Sequence, residues 1–200
     1  MSLDHILLGM LRQPSTGYDI KNRFKNDIRV FWSAELSQIY PTLKRLEKNG
    51  WLRSRTEPSP KGPARRVYRP TAAGRAELTR WLRSGPVLGS ERFPYLAQLF
   101  FMNALGNVEE TRGFLLKLRE SLQHWLADLQ ELERAIVEQH GDASDRYSDE
   151  GLHRFATLRM GIHSISAKVT WCDETLSVLD TRLARERGHR KGGQTAAEEV

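Results

Sequence analysis

SAELSQIYPTLKRLEKN, residues Ser33–Asn49, is the stretch that decides the fold of this chain. Apolar residues recur in it at helical spacing and form one predicted buried face: Leu36, Ile39, Tyr40, Leu43 and Leu46. The opposite face carries polar and basic residues: Ser37, Gln38, Thr42, Lys44 and Arg45. Ser33 is a suitable N-cap, and Asn49-Gly50 is a typical helix end. The pattern therefore predicts an amphipathic helix with a polar, cationic outer face.

Pro41 lies in the middle of this predicted helix. A proline there removes one backbone hydrogen bond and clashes with the carbonyl group of Ser37. Two interpretations remain open. Either the helix is kinked at Pro41, which we favour, or its regular part begins near Ser37, where the missing N–H has no intrahelical partner to lose.

The segments around this helix predict the order helix, helix, helix, hairpin, helix. An apolar stripe begins at Leu3, and a second helix is expected to start at Thr16 with Asp19 in a capping box. After the third helix, two strand-prone runs enclose a Pro-rich segment that is expected to be a loop: Trp51–Glu57, Arg65–Arg69 and, between them, Pro58–Pro63. Thr71 is expected to cap the fourth helix. This order is that of a winged helix-turn-helix domain with a small β-hairpin wing.

The second half of the chain predicts long helices. Phe93–Leu105 is expected to form a short connecting helix, and two strict heptad seams follow it. The seams are Leu115, Leu118, Leu122, Trp125, Leu129, Leu132 and Ile136, then Phe155, Leu158, Ile162, Ile165, Val169, Cys172, Leu176, Leu179 and Leu183. With a turn at Gly141–Ser148, an antiparallel coiled coil is expected, and the seams can pack either within one chain or between two.

We therefore predict a mainly α fold with a winged-helix domain at residues 1–88, a helical dimerisation domain at 89–186 and a disordered tail at 187–200. A two-helix hairpin buries little by itself, which favours pairing with a second copy. In a winged helix that binds DNA, the third helix is the recognition helix, which here is the predicted helix Ser33–Asn49. A symmetric dimer presents two copies of it and therefore predicts a pseudo-palindromic DNA site.

Charge is distributed unevenly along the chain. Residues 1–90 contain 17 Lys and Arg against 7 Asp and Glu, whereas residues 91–200 contain 14 against 18. A basic first half indicates a module that binds a polyanion. The single cysteine, Cys172, excludes an intramolecular disulfide framework, and the sequence shows no membrane-spanning run or secretion signal. These features predict a cytoplasmic protein.

Groove dimensions assign roles to the basic and polar residues of the first half. A helix fits the major groove, where Ser37, Gln38 and Thr42 can read base edges. Lys44 and Arg45 are better suited to phosphates, which position a protein without specifying sequence. The hairpin brings further cations toward the DNA: Lys61, Arg65 and Arg66. Each cation alone is more simply explained as a solvated surface charge, but their combination favours DNA binding.

Three stretches resemble the PadR family of bacterial transcriptional regulators: LDHILLGMLRQPSTGYDI, SQIYPTLKRLEKNGWL and RRVYRPTAAGRAEL. RFPYLAQLFF and the long helices are similar to the family's C-terminal part more loosely. The resemblance implies a winged helix, dimerisation through the helical part, and repression that a small molecule relieves. It also implies that six residues lie near DNA: Gly17, Tyr18, Gln38, Tyr40, Lys44 and Arg65.

Six aromatic residues suggest a pocket for a small aromatic or hydrophobic effector between the domains or subunits: Phe100, Phe101, Phe114, Trp125, Phe155 and Trp171. For each one, simple core packing is the more frequent role. The sequence has no CxxC, no HExxH and no Gly-rich phosphate loop, so neither an enzyme, a metal nor a cofactor is predicted. The alternative function is a ligand-sensing or protein-interaction module in which DNA binding is secondary.

Overall fold

The computed structural model describes residues 3–26, 28, 32, 36–59, 62–89, 91–140 and 147–198. The chain divides into two compact units, Met1–Glu91 and Arg92–Val200. The first contains α1 (Leu3–Met10), β1 (Ser15–Thr16), α2 (Gly17–Asn26), α3 (Leu36–Lys48), β2 (Leu52–Ser59), β3 (Gly62–Pro70) and α4 (Ala72–Arg83). The second contains α5 (Pro94–Phe101), a 3-10 turn (Met102–Leu105), α6 (Val108–His140) and α7 (Asp149–Glu198). The predicted class, mainly α with a winged helix-turn-helix and long C-terminal helices, is confirmed.

The core of the first unit lies where α1, α2 and α3 meet the base of the sheet. Its members are Leu7, Leu8, Leu11, Ile20, Phe24, Ile39, Leu43, Leu46, Leu52 and Tyr68. Seven of these side chains are fully excluded from solvent: Leu7, Leu8, Leu11, Ile20, Ile39, Leu43 and Leu46. This core fixes α3 against the rest of the unit from one side only.

The predicted capping box at the start of α2 is confirmed. The backbone N–H of Thr16 donates to Asp19 Oδ2 (2.8 Å), and the N–H of Asp19 donates to Thr16 Oγ1 (3.1 Å). Two N–H groups that the first turn leaves without helical partners are thereby satisfied. This motif fixes where α2 begins, directly beside the sheet.

The wing is part of a three-stranded antiparallel sheet in the order β1-β3-β2. The prediction that Pro58–Pro63 is all loop was wrong, because β2 includes Pro58 and Ser59 and β3 includes Gly62 and Pro63. The ladder tolerates Pro58 because its register shifts between Glu57 and Ser59, where no donor is required. Ser59 pairs with Gly62.

The end of α3 is joined tightly to the start of α4. Gly50 adopts a positive φ of 72°, and the N–H of Trp51 donates to the carbonyl of Leu46 (2.9 Å), so the predicted stop at Asn49-Gly50 is confirmed. Thr71, the predicted cap of α4, accepts from the N–H of Gly74 and donates from its hydroxyl to the carbonyl of Gly50 (2.6 Å). The end of α3 and the start of α4 therefore share one junction. Ser33 lies outside the described residues. Pro41 lies inside α3, and its kink stays a prediction.

The two long helices of the second unit form an antiparallel hairpin within one chain. Four ion pairs connect the helices, and their residue numbers increase along α6 as they decrease along α7. The pairs are Glu109–Arg187, Arg112–Asp180, Arg119–Asp173 and Glu133–Arg159. Leu115, Leu122 and Leu129 are buried on α6, as are Leu158, Ile162, Ile165, Cys172 and Leu176 on α7. The predicted seams therefore pack against each other within one chain, except at Leu132, which is 46% exposed. Most of the predicted turn, residues 141–146, lies outside the described residues.

The predicted disordered tail at 187–200 is corrected by the structure, in which α7 continues through Glu198. Extending an existing helix requires no new nucleus, and this lowers the cost of each added residue. An ion pair between Arg187 and Glu109 (2.8 Å) ties this stretch to α6. Among the described residues, no helix is both long and apolar enough to cross a membrane.

Candidate nucleic-acid interface

The outer face of α3 presents polar and basic side chains on a rigidly held helix. Ile39, Leu43 and Leu46 are fully buried beneath it. Ser37, Gln38, Lys44 and Arg45 are exposed on the other side, as the spacing predicted. The side chain of Leu36 lies outside the described part of the chain. Because the buried side is fixed, the exposed groups keep a defined orientation, which reading base edges requires.

One prediction for this face was wrong. Thr42 is only 4% exposed, and it packs on the side of α3 that also buries Ile39 and Leu46. It therefore does not present its hydroxyl to a groove. Tyr40, which the apolar spacing placed on the buried face and the family resemblance near DNA, is 44% exposed, so it lies at the border between core and surface.

The cations of α3 differ in how they are held. Arg45 forms an ion pair with Asp4 of α1 and lies 3.5 Å from Thr42 Oγ1 through Nη2. Lys44 makes no side-chain hydrogen bond or ion pair with any residue that the structure describes. Lys44 is therefore available to an anion, whereas Arg45 must leave or share Asp4 to reach one.

Tyr40 joins α3 to the start of α2. A Cβ added to Gly17 would lie 2.7 Å from both Cε1 and Oη of Tyr40, so the tyrosine ring rests on the glycine backbone. Tyr18, the next residue, is exposed. Tyr18 and Tyr40, which the family resemblance placed near DNA, are exposed, whereas Gly17, placed there with them, is buried beneath the Tyr40 ring.

Asp19 lies in the same region and carries a perturbed charge. Hydrogen bonding from the backbone N–H of Thr16 lowers the pKa of Asp19, and the nearby charges of Arg65 and Arg23 lower it further. Arg65 lies on β3 two residues before Val67, which pairs with Thr16 at the start of α2. It is exposed and makes no ion pair with another described residue. Arg65 is thus a second cation available to a phosphate.

Arg66 is held in a different way from Arg65. Its Nε donates to Ser54 Oγ (2.7 Å), and its Nη2 donates to both carboxylate oxygens of Glu47 (3.0 and 2.9 Å). Its guanidinium also lies 5.5 Å from the centre of the Tyr68 ring. Glu47 was not predicted as a partner of Arg66, because helical spacing does not indicate an ion pair between a helix and a distant strand. Lys61, the third predicted wing cation, lies outside the described residues.

The six aromatic residues do not form one pocket within a chain. Phe114 lies near the start of α6 and Phe155 near the start of α7, and in an antiparallel hairpin these starts are at opposite ends. At about 1.5 Å per residue they are separated by roughly 35 Å along the helices. Phe100 and Phe101 are 78% and 66% exposed on α5, in edge-to-face contact with each other. Trp125 lies on α6. The ring of Trp171 packs near that of Tyr95, with the two ring centres 6.5 Å apart.

The described residues show no cluster of side chains suited to metal binding and no activated cysteine. No three His, Cys, Asp or Glu side chains among them gather closely enough to hold a metal ion. Cys172 is fully buried, and burial raises the pKa of its thiol, so this cysteine is held in its unreactive protonated form.

Both units match known protein families. Residues 6–80 match the transcriptional regulator PadR-like family, and residues 91–180 match the family described as virulence activator alpha C-term. Over 202 aligned residues, the chain is 30% identical to the probable transcriptional regulator Rv1176c of Mycobacterium tuberculosis, covering 91% of this chain and 100% of that one. It is 28% identical to the negative transcriptional regulator PadR of Bacillus subtilis, covering 89% and 97%.

Solved structures of that Bacillus subtilis protein share the fold. Its complex with operator DNA has a TM-score of 0.75 and 26% identity, covering 88% of this chain and 96% of the other. Its complex with p-coumaric acid has a TM-score of 0.68 and 27% identity, covering 89% and 98%. The likeness extends over both units.

Proposed function

Because this chain belongs to the PadR-like family of transcriptional regulators, as its sequence motifs predicted, we propose that it is a homodimeric repressor that binds a pseudo-palindromic operator. In this proposal α3 enters the major groove, the wing contacts the flanking backbone, and a small aromatic effector releases the DNA. The protein acts in the cytoplasm as a binding protein and not as an enzyme.

The exposed face of α3 carries the proposal for DNA binding. Ser37 and Gln38 offer short polar groups for base edges, and Lys44 offers a charge that no described residue neutralises. Arg65 on β3 adds a further cation beside the start of α2. The related PadR of Bacillus subtilis has been crystallised with operator DNA, which supports the same use of this fold.

Exposed aromatic residues support the dimer. Phe100 and Phe101 stand on α5, a helix without a charged residue, and both are mostly exposed in the single chain. Contiguous exposed apolar side chains mark interaction sites on soluble proteins. A second copy that covers them places two α3 helices in one assembly, as a two-fold symmetric operator requires.

The effector proposal rests on the relative. PadR of Bacillus subtilis has been crystallised with p-coumaric acid, an aromatic acid. We extend this to a small aromatic ligand for the present chain, with a site formed where aromatic residues of the two chains meet. A ligand of this kind releases DNA only if it binds the DNA-free form more tightly than the bound form.

A titration of labelled promoter DNA tests the DNA-binding proposal. The DNA upstream of the gene is bound by wild type, Lys44→Ala and Lys117→Ala at several KCl concentrations, with fluorescence anisotropy as the readout. Each lost phosphate contact lowers the salt slope by about 0.9, hence by about 1.8 for a dimer. We expect this loss for Lys44→Ala and no change for Lys117→Ala, an exposed lysine on α6. Equal slopes for all three proteins would exclude a phosphate contact by Lys44.

A further inference from the structure

Two neighbouring arginines of the wing stand in contrasting surroundings. Successive side chains of a strand point to opposite faces, so Arg65 and Arg66 cannot do the same work. Both side chains are exposed, but Arg65 makes no ion pair with another described residue. Arg66 lies on the face that is turned toward the end of α3.

Arg66 is bound on three sides by groups of its own chain. Glu47 of α3 takes a two-oxygen contact from Nη2, Ser54 of β2 accepts from Nε, and the ring of Tyr68 lies against the guanidinium. The Glu47 side chain is only 18% exposed, which shields this ion pair from solvent on its acidic side. The guanidinium thereby donates from Nη2 to Glu47 and from Nε to Ser54, and these two nitrogens of one rigid plane fix its position and orientation.

We propose that Arg66 and Glu47 are positioning residues for DNA recognition, which lock the wing to the recognition helix, and that Arg66 does not contact a phosphate. The pair spans two elements that approach DNA at different places: α3, for the major groove, and the β2–β3 hairpin, for the flanking backbone. A fixed angle between them sets the spacing at which both engage one operator. This inference rests on the proposed DNA-binding function.

Removing the Glu47 carboxylate should change operator affinity in opposite directions depending on whether Glu47 positions the wing or only lies near the DNA. A carboxylate near DNA repels phosphates, so its removal should tighten binding if it merely lies there. If it positions the wing through Arg66, its removal should weaken binding. The sign of the change in affinity for Glu47→Gln therefore separates the two roles.

Lysine at position 66 provides a second discrimination. Lysine keeps the positive charge but has a single nitrogen, so it cannot donate to Glu47 and Ser54 from two nitrogens of one rigid plane. We expect Arg66→Lys and Arg66→Ala each to weaken operator binding at least fivefold with an unchanged salt slope. Arg65→Ala, the matched control on the other strand face, is expected to lower the slope by about 1.8 for a dimer.

The test combines operator titrations with a measurement that needs no DNA. Wild type, Arg66→Lys, Arg66→Ala, Glu47→Gln and Arg65→Ala are titrated with operator at several salt concentrations. Amide hydrogen exchange of β2 and β3 is followed in the same free proteins. We expect faster amide exchange of β2 and β3 in Arg66→Lys, Arg66→Ala and Glu47→Gln, and exchange at the wild-type rate in Arg65→Ala. A lower salt slope for Arg66→Ala, tighter binding by Glu47→Gln or unchanged wing exchange overturns the inference. A wild type that binds no operator refutes the DNA-binding proposal, and the exchange experiment still decides whether the pair locks the wing.

Discussion

The ring of Tyr40 rests on the backbone of Gly17, with Cε1 and Oη each 2.7 Å from where a Cβ on Gly17 would lie. The atoms in the way belong to the far end of an exposed side chain, which can rotate. Gly17→Ala should therefore cost little stability, under about 1 kcal/mol, since alanine suits a helix start better than glycine does. It should nevertheless displace Tyr40 and weaken operator binding several-fold. The measurement is operator affinity together with thermal unfolding.

A double-mutant cycle provides the control for this contact. In a Tyr40→Ala background, Gly17→Ala should have no further effect on operator affinity, because the clash has been removed. Additive losses of affinity would show that the two residues act independently.

Gly74 meets a harder obstacle than Gly17 does. A Cβ at this position would lie 2.0 Å from the carbonyl oxygen of Trp51, a backbone atom that also accepts from the N–H of Thr71 (3.0 Å). Gly74→Ala must separate α4 from the end of α3, and we expect a loss of about 2–3 kcal/mol in the free energy of unfolding. Chemical denaturation measures it.

Gly9 is the matched control for this substitution. It also lies in a helix of the first unit, but a Cβ there would meet nothing within 4 Å. Gly9→Ala should leave stability unchanged or raise it by up to about 1 kcal/mol. Equal losses for the two alanine variants would contradict the close packing at Gly74.

The capping box predicts a specific dependence of stability on pH. The backbone hydrogen bond from Thr16 holds the pKa of Asp19 below its ordinary value of 3.8. A carboxyl group whose pKa is depressed by folding stabilises the protein above the unfolded value, and this contribution is lost as pH falls through the folded value. Thermal unfolding of wild type and Asp19→Asn should therefore differ most at pH 6 and converge under acid conditions. A difference that stays constant down to pH 2.5 would assign the effect to something other than the Asp19 charge.

The aromatic residues on α5 predict a dimer contact. If a second copy covers Phe101, Phe101→Ser should raise the dimer dissociation constant at least tenfold, or about 1.4 kcal/mol. Leu82→Ser on α4 is the control, since Leu82 is 65% exposed and Phe101 66%. Sedimentation velocity over a concentration series gives the dimer dissociation constant of each variant. Identical constants for the two variants would place the dimer interface elsewhere.

Local patterns in the sequence predicted most of the fold. The helices of the first unit follow from apolar spacing and from caps at Thr16 and Thr71, all of which act within a few residues. The strand β1 was missed because two residues carry no periodicity. Ser15 and Thr16 become a strand only by pairing with Tyr68 and Val67, about fifty positions later.

The candidate site was predicted less completely, for reasons that also lie in distant contacts. Spacing alone did not tell which side of α3 holds Thr42, because that position borders both faces until the packing partners are known. The binding of Arg66 by Glu47 depends on how the wing folds back on α3. Family resemblance supplied Gly17 and Tyr40, whose contact no periodic pattern indicates.

The ratio of affinities for operator and scrambled DNA is the most direct test of whether Gln38 and its neighbours read bases from a fixed helix. Wild type should prefer its operator by a factor of about a thousand or more at physiological salt. Gln38→Ala removes a base contact of about 1–3 kcal/mol in each protomer of the dimer, so that ratio should fall by about 30-fold or more while nonspecific affinity is unchanged. Equal binding of operator and scrambled DNA by the wild-type protein would contradict base reading by this helix.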